Sequence, residues 1–165
     1  MAAPQGYSTA QVALHWIVAL MVIAQFALSD GIESAFQALL DGTTPPKTIQ
    51  QMANAHVAFG FTIFLLACAR LYLRVTRGVP ALPAGEPKPL ALLATVTHYA
   101  LYALILGLPI GGAIAWSQEA SWAAQAHGLG ARLLFVVAGL HVAGALVQHF
   151  VLKSDILRRM LRPEA

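Results

Sequence analysis

The chain has few charged residues and a single cysteine. Of its 165 residues 10% are charged, and the formal net charge of +3 comes from ten basic and seven acidic side chains. So sparse a basic set excludes a surface that follows nucleic acid phosphates. With only Cys68, a disulfide framework and covalent cofactor attachment through a C-x-x-C-H motif are also excluded. The sequence has no Gly-rich phosphate loop, no metalloprotease helix motif and no internal repeat, so the usual chemistry of soluble enzymes has no basis here.

Apolar residues dominate what is present. They make up 58% of the chain, and the mean hydropathy is +0.68. Four apolar stretches, about 11–29, 52–73, 91–116 and 126–152, are long enough to cross a bilayer, which takes about 20 helical residues. No basic residue precedes the first stretch, which favours a retained helix over a signal peptide. We therefore predict an all-α integral membrane protein, one four-transmembrane-helix bundle spanning residues 1–165.

The connections between these stretches differ in charge. The first, about 30–50, is acidic and contains the breaker Thr43-Thr44-Pro45-Pro46, so we expect a turn-rich loop there. The second, about 74–90, and the tail are basic, with Arg74, Arg77, Lys88, Lys153, Arg158, Arg159 and Arg162. By the positive-inside rule, these basic segments and both termini are predicted to be cytoplasmic.

All six histidines fall within or at the ends of predicted spans, where ionisable side chains are costly and usually functional. They are His15, His56, His98, His127, His141 and His149. His127 and His141 are 14 residues apart, which is about 1400° of helix rotation and a rise of about 21 Å. The last helix therefore offers two ligands on nearly one face, one toward each leaflet.

The predicted topology gives each of these two histidines a partner at matching depth. His15, early in the first helix, lies level with His141 on the inner side, and His56 lies level with His127 on the outer side. Two neutral imidazoles are a suitable axial pair for a buried haem iron, so the four histidines predict two haem b groups. For any one histidine, a hydrogen-bonded packing role is the alternative. One zinc or copper ion shared by His127 and His141 is excluded by their 21 Å separation along the helix, about 14 residues at 1.5 Å.

Four other polar residues are candidates for contacts with cofactors. His98 and His149 are predicted to bind a quinone carbonyl or a haem propionate, or else to face lipid headgroups. Arg70 is a candidate propionate or quinone contact, with snorkelling to the interface as its alternative. Arg132 is a candidate contact for an outer haem propionate, since a guanidinium within a span needs an anionic partner. We assign Pro109 and the glycines after it to packing and expect them to kink or loosen their helix.

With these motifs the chain resembles the bacterial di-haem cytochrome b561 family, which includes the superoxide oxidases. The resemblance covers nearly the whole chain. It rests on Tyr7-Ser8, Leu14-His15-Trp16, Ala55-His56, Ala69-Arg70-Leu71, His98-Tyr99, Leu108-Pro109-Ile110-Gly111, Ala126-His127, Gly139-Leu140-His141 and His149-Phe150. Where family members have two adjacent histidines, this chain has Gln148-His149.

The resemblance implies haem pairing by His15 with His141 and by His56 with His127, as the depth argument does. It also implies a multi-pass protein of the bacterial inner membrane that carries electrons from a periplasmic donor, superoxide or a redox protein, to ubiquinone. In the best-matching branch this is superoxide:ubiquinone oxidoreductase activity. Two alternatives stay open: a haem-bearing membrane anchor that exchanges electrons with a peripheral dehydrogenase or soluble cytochrome, and an assembly protein that binds haem without turnover.

Overall fold

The computed structural model describes residue 4, residues 6–83 and residues 86–163. The regular structure in this part of the chain is helical: α1 (Thr9–Ala27), α2 (Ser29–Leu40), α3 (Lys47–Arg77), α4 (Lys88–Ser117), α5 (Ser121–Leu146) and α6 (Ile156–Arg159), with a π-helical turn over Val147–Val151 after α5. Four helices, α1, α3, α4 and α5 with its π turn, are long and apolar enough to span a membrane. The predicted four-span, all-α fold is confirmed; both tips of the predicted domain lie outside the described residues.

Three hydrogen bonds bring the N-terminal segment, the second connection and the C-terminal segment to one end of the bundle. Gln11 donates to the carbonyl of Gly78 (3.1 Å), Trp16 donates to the carbonyl of Met160 (2.8 Å), and Arg159 donates to the carbonyl of Ala81 (2.9 Å). We call this the basic end, after Arg74, Arg77, Lys88 and Lys153. The opposite end is the acidic end, after Asp30, Glu33, Asp41 and Glu119.

A capping box starts α1. The Ser8 hydroxyl accepts from the backbone N–H of Gln11 (3.3 Å), and the Gln11 side chain accepts from the backbone N–H of Ser8 (3.0 Å). From there 19 residues give a length of about 28 Å, close to the thickness of a bilayer core. The two ends of α1 therefore mark the approximate limits of the membrane.

The prediction of an irregular first connection is wrong for residues 29–40, which form helix α2, and is confirmed for residues 41–46, which contain the predicted breaker. Its buried residues, Gly31, Ala35 and Phe36, recur at helical spacing on one face. The α2 helix packs on α3, where Gly31 lies directly against Met52, and Phe36 contacts Trp116 of α4 with ring centroids 6.1 Å apart. Since α1 already spans the core, α2 extends the bundle beyond the membrane at the acidic end.

The other spans are longer than predicted. The α3 helix begins at Lys47, directly after Pro46, and packs on α2, and α5 begins at Ser121. The α4 helix continues through Pro109 without a break, and the kink or loosening expected there stays a prediction. Large apolar side chains such as Leu20, Phe61 and Leu129 are more than 60% exposed, as expected where lipid covers the surface.

Candidate functional site

Four of the predicted ligands meet as two pairs across the bundle. The rings of His15 on α1 and His141 on α5 have centroids 6.1 Å apart, and those of His56 on α3 and His127 on α5 are also 6.1 Å apart. The first pair lies toward the basic end. The second lies toward the acidic end, level with the last turn of α1, because Gln25 donates to the carbonyl of His56 (3.0 Å).

The spacing within each pair suits one iron held between two imidazoles. An imidazole nitrogen binds a metal at about 2 Å, and the ring centre lies about 1 Å behind that nitrogen, so two axial rings have centroids about 6 Å apart. The ring planes are inclined by 57° and 65°, and any such angle is compatible with axial ligation because each plane can contain the iron–nitrogen axis. Both pairs therefore fit a bis-histidine haem.

The backbone of α4 orients His127. Its Nδ1 lies 2.9 Å from the carbonyl oxygen of Leu108, which leaves Nε2 as the nitrogen free to bind a metal. Gly112, one turn further along α4, lies so close that a Cβ there would stand 3.2 Å from Cε1 and Nδ1 of the ring. A cleft of about 270 Å³ between α4 and α5 opens beside this histidine, lined by residues that include Gly107, Gly111 and Gly130.

His56 presents a different environment. Its Nδ1 is buried and has no hydrogen-bond partner among the described residues. A buried polar atom without a partner is costly unless something else satisfies or displaces it. Together with the 6.1 Å separation, this points to a pair that is incomplete without a bound group.

His98 is brought to the pair at the basic end. Its ring centroid lies 5.0 Å from that of His141, which is too close for an iron between them, and its Nδ1 lies 2.6 Å from the carbonyl of Ala94. It is thus a packing neighbour of a predicted ligand.

His149 lies in the π-helical turn, with a buried Nδ1 that has no partner in the described chain, and its ring contacts Phe150. That His98 and His149 contact a quinone stays a prediction.

The two arginines occupy contrasting positions. Arg70 is half-buried, and its charge acts on His15, His98 and His141. Arg132 is exposed and lies about 140° around α5 from His127, five residues later, with no hydrogen bond or ion pair in the part of the chain that the structure describes. It lies near the membrane boundary, since Phe135, three residues on, contacts Phe26 at the end of α1 (5.4 Å). That Arg70 and Arg132 contact haem propionates stays a prediction.

Two tyrosines to which the sequence analysis assigned no role at the site, Tyr7 and Tyr102, complete the surroundings of Arg70. The ring of Tyr102 lies with its centroid 5.9 Å from the guanidinium carbons of both Arg70 and Arg74. Tyr102 lies four residues after His98 on the same face of α4, and this spacing is the sequence feature that could have predicted its place near the site. Burial raises the pKa of the Tyr7 phenol above its ordinary value of 10, against the opposing effect of Arg74 and Arg159, so this phenol is neutral at physiological pH.

Comparison with known proteins shows the family of the chain. Residues 6–163 match the family model described as prokaryotic cytochrome b561. The chain is similar to a cytochrome b562 of Cereibacter sphaeroides, with 31% identity over 96% of each chain. It is also similar to a probable superoxide oxidase CybB of Yersinia pestis, with 32% identity over 94% of this chain and 95% of that protein, and to cytochrome b561 homolog 2 of Escherichia coli, with 26% identity over 96% and 92%. The chain therefore belongs to the prokaryotic cytochrome b561 family, whose members are haem b proteins that transfer electrons in membranes.

Proposed function

We propose that the chain holds two haem b groups, one between His15 and His141 and the other between His56 and His127. The observation that carries this proposal is the 6.1 Å separation of the ring centroids in both pairs. Haem bound at each pair supplies a reversible one-electron couple. The chain supplies the ligands, their orientation and an apolar surrounding that keeps water away.

We propose further that the basic end faces the cytoplasm and the acidic end faces the periplasm of the bacterial inner membrane. The support is the grouping of Arg74, Arg77, Lys88 and Lys153 at one end of the bundle, as the positive-inside rule requires. In this orientation, the pair His56 and His127 lies close to the periplasmic boundary. The pair His15 and His141 lies toward the cytoplasmic side.

The proposed reaction is the oxidation of superoxide at the acidic end coupled to ubiquinone reduction at the basic end. Two superoxide ions each give up one electron and become dioxygen, and one ubiquinone takes both electrons and two protons to become the quinol. The similarity to the Yersinia pestis protein named as a probable superoxide oxidase supports this donor. The buried Nδ1 of His149, which has no partner among the described residues, supports a quinone contact near the basic end, where His98 is a second candidate.

Propionate contacts would anchor the two groups in their slots. Arg70 is the candidate at the basic end, since its charge already acts on His15 and His141. Arg132 is the candidate at the acidic end, where its long side chain starts at the membrane boundary and could bend back toward the pair.

Stopped-flow spectroscopy of the purified protein tests the reaction. Superoxide should reduce the haem bands, and ubiquinone should then reoxidise them with two superoxide ions consumed per quinone. We expect His149→Ala to slow reoxidation by quinone at least tenfold, whereas Val151→Ala, at an exposed position of the same π turn, should not. Failure of superoxide to reduce the haem would overturn the proposed donor, and quinone reoxidation at the original rate in His149→Ala would remove that residue from the quinone site.

A further inference from the structure

Positive charge is distributed unequally between the two histidine pairs. Arg70 acts on all three imidazoles near the basic end, and Arg74 acts on His98. The guanidinium carbons of both arginines lie 5.9 Å from the centre of the Tyr102 ring. Two cations one turn apart on α3 thus share one tyrosine ring; Arg70 acts on both members of the pair, and Arg74 acts on the neighbouring His98.

No carboxylate neutralises these two cations within the described residues. The groups around Arg70 are the phenols of Tyr102 and Tyr7 and the guanidinium of Arg74. The single ion pair in this part of the chain joins Arg159 to Asp155 (2.8 Å) on α6 and its preceding turn. Since none of these neighbours is a carboxylate, no acidic side chain of the described residues cancels the positive charge beside the pair His15 and His141.

No arginine of the described residues acts on His56 at the acidic end. The one titratable group that acts on it there is its partner His127. Arg132 is exposed, and so are the acidic residues that name this end, Asp30, Glu33, Asp41 and Glu119. Exposed charges are screened by water and salt, whereas half-buried ones such as Arg70 are screened much less.

We propose that Arg70 and Arg74 raise the reduction potential of the haem at His15 and His141 above that of the haem at His56 and His127, so that electrons flow from the acidic to the basic end. The inference rests on the proposed two-haem function and assigns the driving force for its direction of electron flow to two residues of α3. Reduction adds one negative charge, which nearby cations stabilise. In the step concerned, iron at the acidic end is oxidised from ferrous to ferric and iron at the basic end is reduced from ferric to ferrous.

The direction in which Arg70 shifts the reduction potential does not depend on whether Arg70 binds a propionate. An unpaired guanidinium raises the potential directly, and a paired one cancels a propionate charge that would otherwise lower it. In both cases, removing the guanidinium makes the surroundings of the basic-end haem more negative by one charge. The equilibrium for electron sharing between the two haems should then shift away from the basic end.

A spectroelectrochemical titration of the purified, haem-loaded protein tests this direction. We expect Arg70→Gln to lower the midpoint of one haem by an amount equivalent to at least tenfold in electron sharing, about 59 mV for one electron. Arg70→Lys should keep most of the original midpoint. The matched control is Arg77→Gln, which removes the same charge from an exposed position two turns further along α3 and should leave both midpoints in place.

The single-haem variant His56→Ala assigns the midpoints without altering the arginines. The haem that it retains should have the higher of the two wild-type midpoints. A retained haem with the lower midpoint, equal midpoints in the wild-type protein, or an Arg70→Gln shift no larger than that of Arg77→Gln would overturn the inference. Fewer than two haems in the wild-type protein would instead contradict the proposed function, so the two failures are distinguishable.

Discussion

The orientation of His127 depends on two groups of α4 that cannot bind metal themselves. The carbonyl of Leu108 holds Nδ1, and Gly112 leaves room for the ring. A ligand whose second nitrogen is held in this way is fixed in both tautomer and direction, which is how neighbouring groups adjust the properties of a metal site. The packing role assigned to the segment after Pro109 is thus also a role in positioning a ligand.

Gly112→Ala should therefore disturb the haem at the acidic end. The added Cβ would stand 3.2 Å from two atoms of the His127 ring, so the ring must move by a few tenths of an ångström. We expect lower haem occupancy at this pair and an altered low-spin electron paramagnetic resonance signal from it. Ile110→Ala is the control in the same helix, because Ile110 is exposed and does not line the cleft beside His127. Equal haem content and unchanged signals in both variants would refute the positioning role.

Which residues lie close together was only partly predictable from the sequence. Depth and the 14-residue spacing were enough to predict the partners of His127 and His141, because a straight helix converts sequence distance into height. The contact between Leu108 and His127 was not predictable, since a backbone carbonyl has no sequence signature. The approach of Tyr102 to Arg70 depends on how α3 and α4 pack, which helix periodicity alone does not give.

The α2 helix packs at the acidic end of the bundle. A glycine, Gly42, follows its last turn. Gly42 has a φ of +64°, and the N–H groups of Thr43 and Gly42 donate to the carbonyls of Ala38 (2.8 Å) and Leu39 (3.1 Å). This pair of bonds is the Schellman motif, which favours glycine at the left-handed position. The motif ends α2 at Leu40, and residues 41–46 separate it from α3.

Gly42→Ala should weaken α2 through backbone strain alone, since a Cβ at this position meets nothing within 4 Å. A left-handed residue with a side chain costs about 1 kcal/mol, which is about a fivefold change in a local opening equilibrium. Hydrogen exchange should therefore accelerate about fivefold across α2 and remain unchanged in α4. Gly42→Asn should recover part of the loss, because asparagine tolerates this conformation. An α2 whose exchange is the same in all three proteins would contradict this account of its end.

Among the described helices longer than one turn, α2 is the one that the sequence did not predict. Its 12 residues are too short to span a bilayer, and its acidic residues and the following Pro45-Pro46 favoured a loop. The helix forms because one apolar face packs on the part of α3 that extends beyond the membrane. The four long helices were predictable because length and hydrophobicity alone determine which segments cross the bilayer.

At the scale of the whole molecule, one end carries the basic groups and the other carries the acidic ones. Labelling with a membrane-impermeant maleimide tests the orientation that we propose from this asymmetry. In a Cys68→Ser background, Gln118→Cys at the acidic end should react in spheroplasts, and Arg77→Cys at the basic end should react only after lysis. Both parent side chains are exposed. The opposite labelling pattern would reverse the orientation and place the proposed quinone site on the periplasmic side.

The central claim is that two pairs of histidines hold two haems in one chain. Its most direct test is the number of haem b groups extracted per purified chain, with the dithionite-reduced minus oxidised spectrum, for the wild-type protein, His127→Ala and the control His149→Ala. The account predicts two low-spin haems in the wild-type protein and in the control, and one in His127→Ala. No haem in the wild-type protein, or a count that His127→Ala leaves unchanged, would contradict it.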